Sequence, residues 1–428
     1  MEKNDAVPGD YVEIHLSKLI YEGVLLEVPE NEKGIVLLKL DSGYNIGFSK
    51  KDILKIVVLK KEKEKKPVGF EIKQNTEKPN IAIIITGGTI ASRYNPKTGG
   101  VYPLTSPEDL FKFYPELFEK VNVARVEIPF MKFSENMDYK DWQRLANLVV
   151  NLLNDSSIKG VVITHGTDTL HYTSAALSFF IHNLNKPVVL TYSQRSIDRA
   201  SSDANLNLQC AALVAISDIA EVSLVGHASS NDSYCFAMPG TKVRKLHTSK
   251  RDAFKVVNAK PFARVFPDKI ERISDWKLRN KNKAELDNKF EEKIALLKFY
   301  PGQNSNILDY YLKNKYKGII LEVLGIGQIA TSGSRNSWIK KLKEVQKKGI
   351  IICAAPQCIN GRLDPFVYSS GRELLGAGVI YLGDMLAETA FVKLGWVLGH
   401  EEWKKNKKLI KEKMLENFAG ELNDRLEE

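Results

Sequence analysis

Cysteine is scarce in this sequence, and its four copies mark no site. Cys210, Cys235, Cys353 and Cys358 form no CxxC pair and no zinc-type spacing. That excludes a disulfide framework or a zinc module and leaves buried thiols in a reducing cytoplasm as the expectation. Long apolar runs are missing too. No stretch is long enough to span a bilayer and there is no apolar N-terminal leader core, so neither secretion nor membrane insertion is expected. A P-loop is absent. Gly325-Ile326-Gly327 supplies two glycines of a dinucleotide motif but lacks the third and the downstream acid, and it is rejected as a cofactor site.

What is present is an ordinary composition over a long chain. With 428 residues, 43% hydrophobic and 27% charged, two or three domains are expected. The net charge of +10 is diffuse. It permits an acidic partner such as RNA, although a basic excess of this kind is more often a solvated lysine-rich surface. Residues 1–60 read as a small all-β, barrel-like domain, with short strands at 11–16, 20–28, 34–40, 44–49 and 53–59 and a turn at Asp41-Ser42-Gly43. The module has no cluster of His, Cys or acids, so docking is its expected use. Residues 61–79 form a charged linker, introduced by KKEKEKK at Lys60 to Lys66.

From Asn80 buried strands alternate with helices, the pattern of a parallel α/β sheet. Residues 80–266 read as a larger α/β domain, 267–293 as a charged connection, and 294–428 as a smaller α/β domain whose last helix runs from Glu401 to about Glu427. Five apolar residues, Ile81 to Ile85, run into Gly87-Gly88, which fits a buried strand ending in a tight turn where α/β sheets place ligands. Thr86 and Thr89 flank that turn; by itself the stretch reads more readily as a plain strand-to-helix turn with a threonine N-cap. Residues 93–103, rich in Gly, Pro and Asn and carrying Tyr94 and Tyr102, form a loop that can serve as a lid or a plain surface connection. A second strand ends in GTDT, with Thr167 beside Asp168: a hydroxyl and carboxylate suited to acid–base work or to an N-cap. Residues 193–203 form a loop at the same sheet end, with an amphipathic helix from Ala204. Lys242, Arg244 and Lys245 lie on a loop or short hairpin, and nothing local singles out one of them.

TGGTIA at Thr86–Ala91 and HGTDT at His165–Thr169 together resemble the paired signatures of the asparaginase/glutaminase amidohydrolases, over about residues 80–400. The resemblance implies two α/β domains with the active site at the end of the larger sheet. It implies Thr89 as nucleophile and Thr167, Asp168 and Lys245 as a second hydroxyl–carboxylate–amine set. Backbone N–H groups at the Gly88 and Gly166 turns would bind the developing oxyanion. Ser134 would hold the substrate α-carboxylate, Glu135 and Asp168 its α-ammonium. Tyr94 or Tyr102 would be the lid tyrosine, and the motif does not choose between them. No metal is implied.

Four further features resemble one branch, the D subunits of archaeal glutamyl-tRNA(Gln) amidotransferases. They are the N-terminal β-domain, SENM at Ser134–Met137, the segment Ser193–Leu208, and GWVLGH at Gly395–His400. That branch implies a cytoplasmic glutaminase, a homodimer within a two-plus-two heterotetramer whose other component is the E subunit (GatE). The partner would carry ATP and Mg and most of the contact to tRNA(Gln), and this chain would need no cofactor of its own. Two alternatives are a stand-alone asparaginase with an accessory β-domain and an inactive RNA-binding scaffold, the latter disfavoured by the full set Thr89, Thr167, Asp168 and Lys245.

Overall fold

The computed structural model describes residues 6–28, 34–41, 45–61, 77–94, 101–103, 116–197, 199 and 201–426. The N-terminal strands β1 (Tyr11–His15), β2 (Ile20–Leu26), β3 (Ile35–Lys39), β4 (Asn45–Ser49) and β5 (Lys55–Lys60) form an antiparallel sheet in the order β4-β3-β2-β1-β5. This antiparallel sheet is the small all-β unit expected from the sequence; among the described residues β4 and β5 are its two edge strands. Alternate residues Val12 and Ile14 of β1 face inward onto Leu25, Leu38 and Phe48, a small core separate from the rest.

The larger unit begins with β6 (Asn80–Ile85), the hairpin strands β7 (Ser92–Tyr94) and β8 (Val101–Pro103), β9 (Asn122–Glu127), β10 (Val161–Thr164), β11 (Ile181–His182), β12 (Val188–Thr191) and β13 (Val222–His227). It continues with β14 (Cys235–Pro239), β15 (Val243–Lys245), β16 (Phe254–Val256), β17 (Ala263–Val265), β18 (Ile270–Arg272) and β19 (Glu285–Leu286). Eight strands make one sheet, β18-β17-β14-β13-β12-β10-β6-β9, parallel from β13 to β9 and antiparallel beyond. The isoleucine run explains its burial. Ala82 and Ile84 point into the core shared with helices Tyr139–Asn154 and Leu170–Phe180, whereas Ile81, Ile83 and Ile85 point into the opposite core under helix Ala204–Ile216. A strand covered on both faces needs apolar side chains at every position. Helix Ala204–Ile216, expected as amphipathic, is instead apolar nearly all round because the sheet and the chain beyond it bury most of its surface.

The second unit is a parallel sheet of β20 (Ile294–Lys298), β21 (Gly318–Val323), β22 (Ile351–Pro356) and β23 (Ile380–Tyr381). Its helix Ala387–Gly399 packs on helix Leu170–Phe180, and one continuous core joins both units.

Three expectations are corrected. Residues 267–293 are no free connection: they contribute β18 to the large sheet, and Leu278 bridges Ile219. Arg279 donates to the carbonyls of Ala215, Ser217 and Lys159, capping the end of helix Ala204–Ile216 where backbone acceptors are exposed. The terminal helix is broken into Glu401–Lys404 and Lys407–Leu415, the second capped by Asn406, whose side chain accepts from Lys408 N–H. The residues beyond fold back so that Glu421 meets Lys393 at 2.6 Å, both fully buried. Finally, Cys210, Cys235 and Cys353 are buried thiols, but Cys358 is exposed. No helix among the described residues is long and apolar enough to cross a membrane.

Candidate active site

Two strand ends meet at the carboxyl edge of the large sheet. Gly87 and Gly88 have φ of 112° and 77°, backbone that glycine adopts without the cost a side chain brings. The approach beyond them is closer still. A Cβ on Gly88 would stand 2.4 Å from the N and Cα of Gly166, and one on Gly166 would stand 2.8 Å from Cβ and Oγ of Ser134. Three turns therefore touch through bare backbone, which is what the glycines are for. Thr86 Oγ1 donates to Thr164 O at 2.8 Å and Ser92 Oγ to Gly88 O at 2.8 Å, pinning the first turn from both sides. Thr89 opens the 3-10 turn Thr89–Ala91 and is partly exposed, while Ile90 and Ala91 anchor it in the core.

Lys245 identifies itself by its contacts. Its Nζ lies 2.8 Å from Thr167 Oγ1 and 2.8 Å from Asp168 Oδ1. Thr167 is buried, whereas the Asp168 carboxylate is 62% exposed and open to a ligand. The hairpin β15–β16 presents Lys245 on the same face as buried Val243. Its neighbours go elsewhere: Arg244 pairs with Glu388 at 2.9 Å, and Lys242 pairs with Asp384 at 2.6 Å, fully buried between the two units. Lys242 and Arg244 thus fasten the small unit to the large one. Burial lowers the Lys242 pKa, opposed by its bond to Asp384.

Two imidazoles support the site as neutral groups. His165 is buried, bonded through Nδ1 to Gly166 O at 2.7 Å and through Nε2 to Thr173 Oγ1 at 2.9 Å; burial lowers its pKa to about 4. His171, buried against Tyr172 and Phe254, is lowered to about 3 by burial and then by the nearby Arg244 and Lys245 charges.

Ser134 is buried in the 3-10 turn Ser134–Asn136, with Oγ accepting from Asp168 N–H at 3.1 Å and its carbonyl accepting from Thr169 Oγ1 at 2.8 Å. Glu135 beside it is exposed. The structure therefore gathers Thr167, Asp168, Lys245, Ser134, Gly88 and Gly166 by direct contact, with Thr89 and Glu135 next in chain to contacting residues. Tyr94 and Tyr102 sit on the antiparallel ribbon β7–β8, where a loop was expected. Their side chains, and residues 95–100 between the strands, lie outside the described residues.

Sequence reasoning missed the layer behind the site. Asn207 accepts at Oδ1 from Cys235 Sγ and shares a 2.6 Å hydrogen bond with His227 Nδ1. His227 Nε2 meets Asp232, and Arg251 binds Asp232 and the Ser201 carbonyl. These residues are scattered over fifty positions, and no local pattern marks them.

Residues 80–277 match the asparaginase N-terminal domain family and residues 293–413 the glutaminase/asparaginase C-terminal domain family. Residues 6–59 match the GatD N-terminal domain family. The chain is 45% identical to the D subunit of the glutamyl-tRNA(Gln) amidotransferase of Pyrococcus furiosus, over 97% of this chain and 94% of that protein. It belongs to the GatD family. The corresponding GatD protein of Methanothermobacter thermautotrophicus is 41% identical over the same shares. Among solved structures, an L-asparaginase of Thermococcus kodakarensis superposes with a TM-score of 0.71 at 29% identity, covering 81% of this chain and all of that one. L-asparaginase I of Vibrio cholerae gives 0.67 at 28% identity, covering 81% of this chain and 99% of that one. This member of the GatD family is thus an asparaginase fold with a β-domain added in front.

Proposed function

We propose that the chain is the cytoplasmic glutaminase subunit of a tRNA-dependent amidotransferase. In this reading it hydrolyses the side-chain amide of glutamine, or asparagine, and supplies ammonia for converting Glu-tRNA(Gln) to Gln-tRNA(Gln). The observation that carries it is the likeness to GatD relatives over 97% of the chain, a span that includes the β-domain the free asparaginases do without. The partner GatE would bind ATP and Mg and most of the tRNA, in an assembly of two copies of each chain.

The chemistry divides between the two turns. Thr89 Oγ1 bonds to the amide carbon while backbone N–H groups of the Gly88 and Gly166 turns face the oxygen that becomes negative. In this reading its proton travels by way of Thr167 and Lys245, which stand 2.8 Å apart, to the departing nitrogen. Ammonia leaves, water attacks the Thr89 ester, and the free acid departs. Ser134 receives the substrate carboxylate, and the exposed carboxylates of Asp168 and Glu135 receive its ammonium.

A second reading, a free asparaginase, is favoured by the full coverage of the Thermococcus kodakarensis enzyme. One assay separates the two. The purified chain is given glutamine and asparagine, alone and then with GatE and glutamate-charged tRNA(Gln). Slow hydrolysis alone, accelerated at least tenfold by both additions, is expected; that gain needs only about 1.4 kcal/mol of coupling. Full-speed asparagine turnover indifferent to both would make it a free asparaginase.

A further inference from the structure

The hairpin that carries Lys245 stands outside the large sheet. Among the described residues β15 and β16 pair only with each other, so the ladder that fixes the other strand ends does not fix this one. Its root is held where Lys242 and Arg244 meet Asp384 and Glu388. Its tip, residues 246–253, needs other anchors. The Arg251 side chain gives one, to the Ser201 carbonyl and to an Asp232 carboxylate that is 63% exposed. Another comes from Tyr192, the residue after β12, whose hydroxyl donates to the Arg251 carbonyl at 2.7 Å.

Tyr192 is fully buried and enclosed on several sides. Its ring lies 4.7 Å from that of Phe254. Phe254 stands directly opposite Lys245 in the hairpin, and residues so paired share a face. Gly226 makes room for the ring, since a Cβ there would stand 2.3 Å from Tyr192 Cε1. Asn207 Nδ2 donates to the Tyr192 carbonyl at 2.9 Å. Burial holds the phenol well above its ordinary pKa, so the hydroxyl stays a donor. Behind it β12 runs beside β10, with Thr191 opposite Thr164 and His165 N–H donating to Thr191 O at 3.0 Å. Tyr192 therefore links the strand beside the Thr167–Asp168 turn to the hairpin that brings Lys245 within 2.8 Å of both residues.

We propose that Tyr192 is a positioning residue for Lys245, its ring and hydroxyl setting the distance between the hairpin and the Thr167–Asp168 turn. This rests on the reading above, in which Lys245 carries the proton at Thr167. A misplacement of about 1 Å at a reacting group can cost about 100-fold in rate. In the same reading Ser134, Glu135 and Asp168 receive the substrate, and none of them is on the hairpin. A loosened hairpin should then lower kcat and spare KM.

The test compares the full-length parent with Tyr192→Phe, Lys245→Met and the double variant in steady-state hydrolysis of asparagine and glutamine. All four are assayed where near-ultraviolet circular dichroism shows them folded. Tyr192→Phe keeps the ring and removes the bond. Its kcat should be at least tenfold lower, with KM within about twofold of the parent. Added to Lys245→Met it should cause no further loss, because a bond that acts through Lys245 has nothing left to place. A parental kcat in folded Tyr192→Phe overturns the proposal, and so does a rise in KM alone. Losses that multiply in the double variant also overturn it, by making Tyr192 a general support of the fold. Where Tyr192→Phe does not fold, Phe254→Leu, which opens the ring contact, takes its place in the cycle with the same expected and overturning results. A parent that hydrolyses neither amide, or a Lys245→Met protein as active as the parent, would instead overturn the functional reading on which the proposal stands.

Discussion

Lys242 and Lys245 stand three residues apart, and replacing each by methionine should damage different properties. Lys245 is 12% exposed and its carboxylate partner is 62% exposed, so the ion pair is mostly solvated. Pairs of this kind contribute about 0–1 kcal/mol to folding. Lys245→Met should therefore change the unfolding free energy by no more than that while removing the proposed proton carrier at Thr167, a loss of about 10²–10⁴ in kcat. Lys242 is 1% exposed and Asp384 is fully buried. Removing one partner of a buried pair leaves a charge without compensation and costs about 3–5 kcal/mol. Asp384 keeps two further donors, the N–H and Nδ2 of Asn423, which places the expectation at the lower end, near 3 kcal/mol. Folded Lys242→Met should still turn over substrate at close to the parental rate. The assay pairs urea unfolding with steady-state hydrolysis at a denaturant concentration where both proteins are fully folded. A Lys242→Met protein of normal stability and no activity, beside an active Lys245→Met protein, would refute the assignment of the hairpin.

Thr89→Val keeps the shape of the side chain and removes the attacking oxygen; hydrolysis should fall by several orders of magnitude with an unchanged circular dichroism spectrum, and near-normal turnover would remove Thr89 from the mechanism. Acid stability should follow the buried imidazoles. His165 and His171 bind protons only near pH 4 and 3 when folded but near 6.5 when unfolded, so the unfolded chain holds more protons between those limits. Stability should fall as pH drops from about 6.5 towards 4, and His171→Phe should make that fall shallower in urea titrations at pH 7, 6 and 5.

Much of this was legible because it rests on short-range rules. The apolar run Ile81 to Ile85 fits a strand covered on both faces, and Gly87-Gly88 after it fits a tight turn. Asp138 before Tyr139 announced its helix, and the structure shows the full capping box with Asp141. The choice of Lys245 was not legible from local spacing, because its partners lie 77 and 78 residues away; the family resemblance supplied it. Charge misled in the same way in the connection after residue 266 and in the C-terminal region. Segments rich in Lys, Arg and Glu read as solvated, since such residues are seldom buried unless paired. Lys393 is buried because Glu421 and two carbonyls receive it, and Arg279 is held by a helix end. Composition registers the charge and not the acceptor that makes burial possible.

Such long-range acceptors converge beside the site in the loop 193–203, with a mechanical consequence. Asp203 closes the loop by accepting from the N–H groups of Gln194 and Arg195; burial raises its pKa against those bonds. Ile197 N–H donates to the carbonyl of Ser92, the first residue of the ribbon that carries Tyr94 and Tyr102. On its other side Arg251, in the turn of the hairpin that holds Lys245, reaches the Ser201 carbonyl at 2.7 Å. The ribbon leading away from Thr89 and the hairpin delivering Lys245 are thus both hydrogen-bonded to one loop, and a bond of this kind has a net contribution of about 0.5–1.5 kcal/mol. Bonds of that size hold two elements in register and still let them part at thermal cost. In the proposed reading, a partner that prefers one position of the ribbon would act on Thr89 and on Lys245 together, and the roughly 1.4 kcal/mol that tenfold activation requires is about the strength of one such bond.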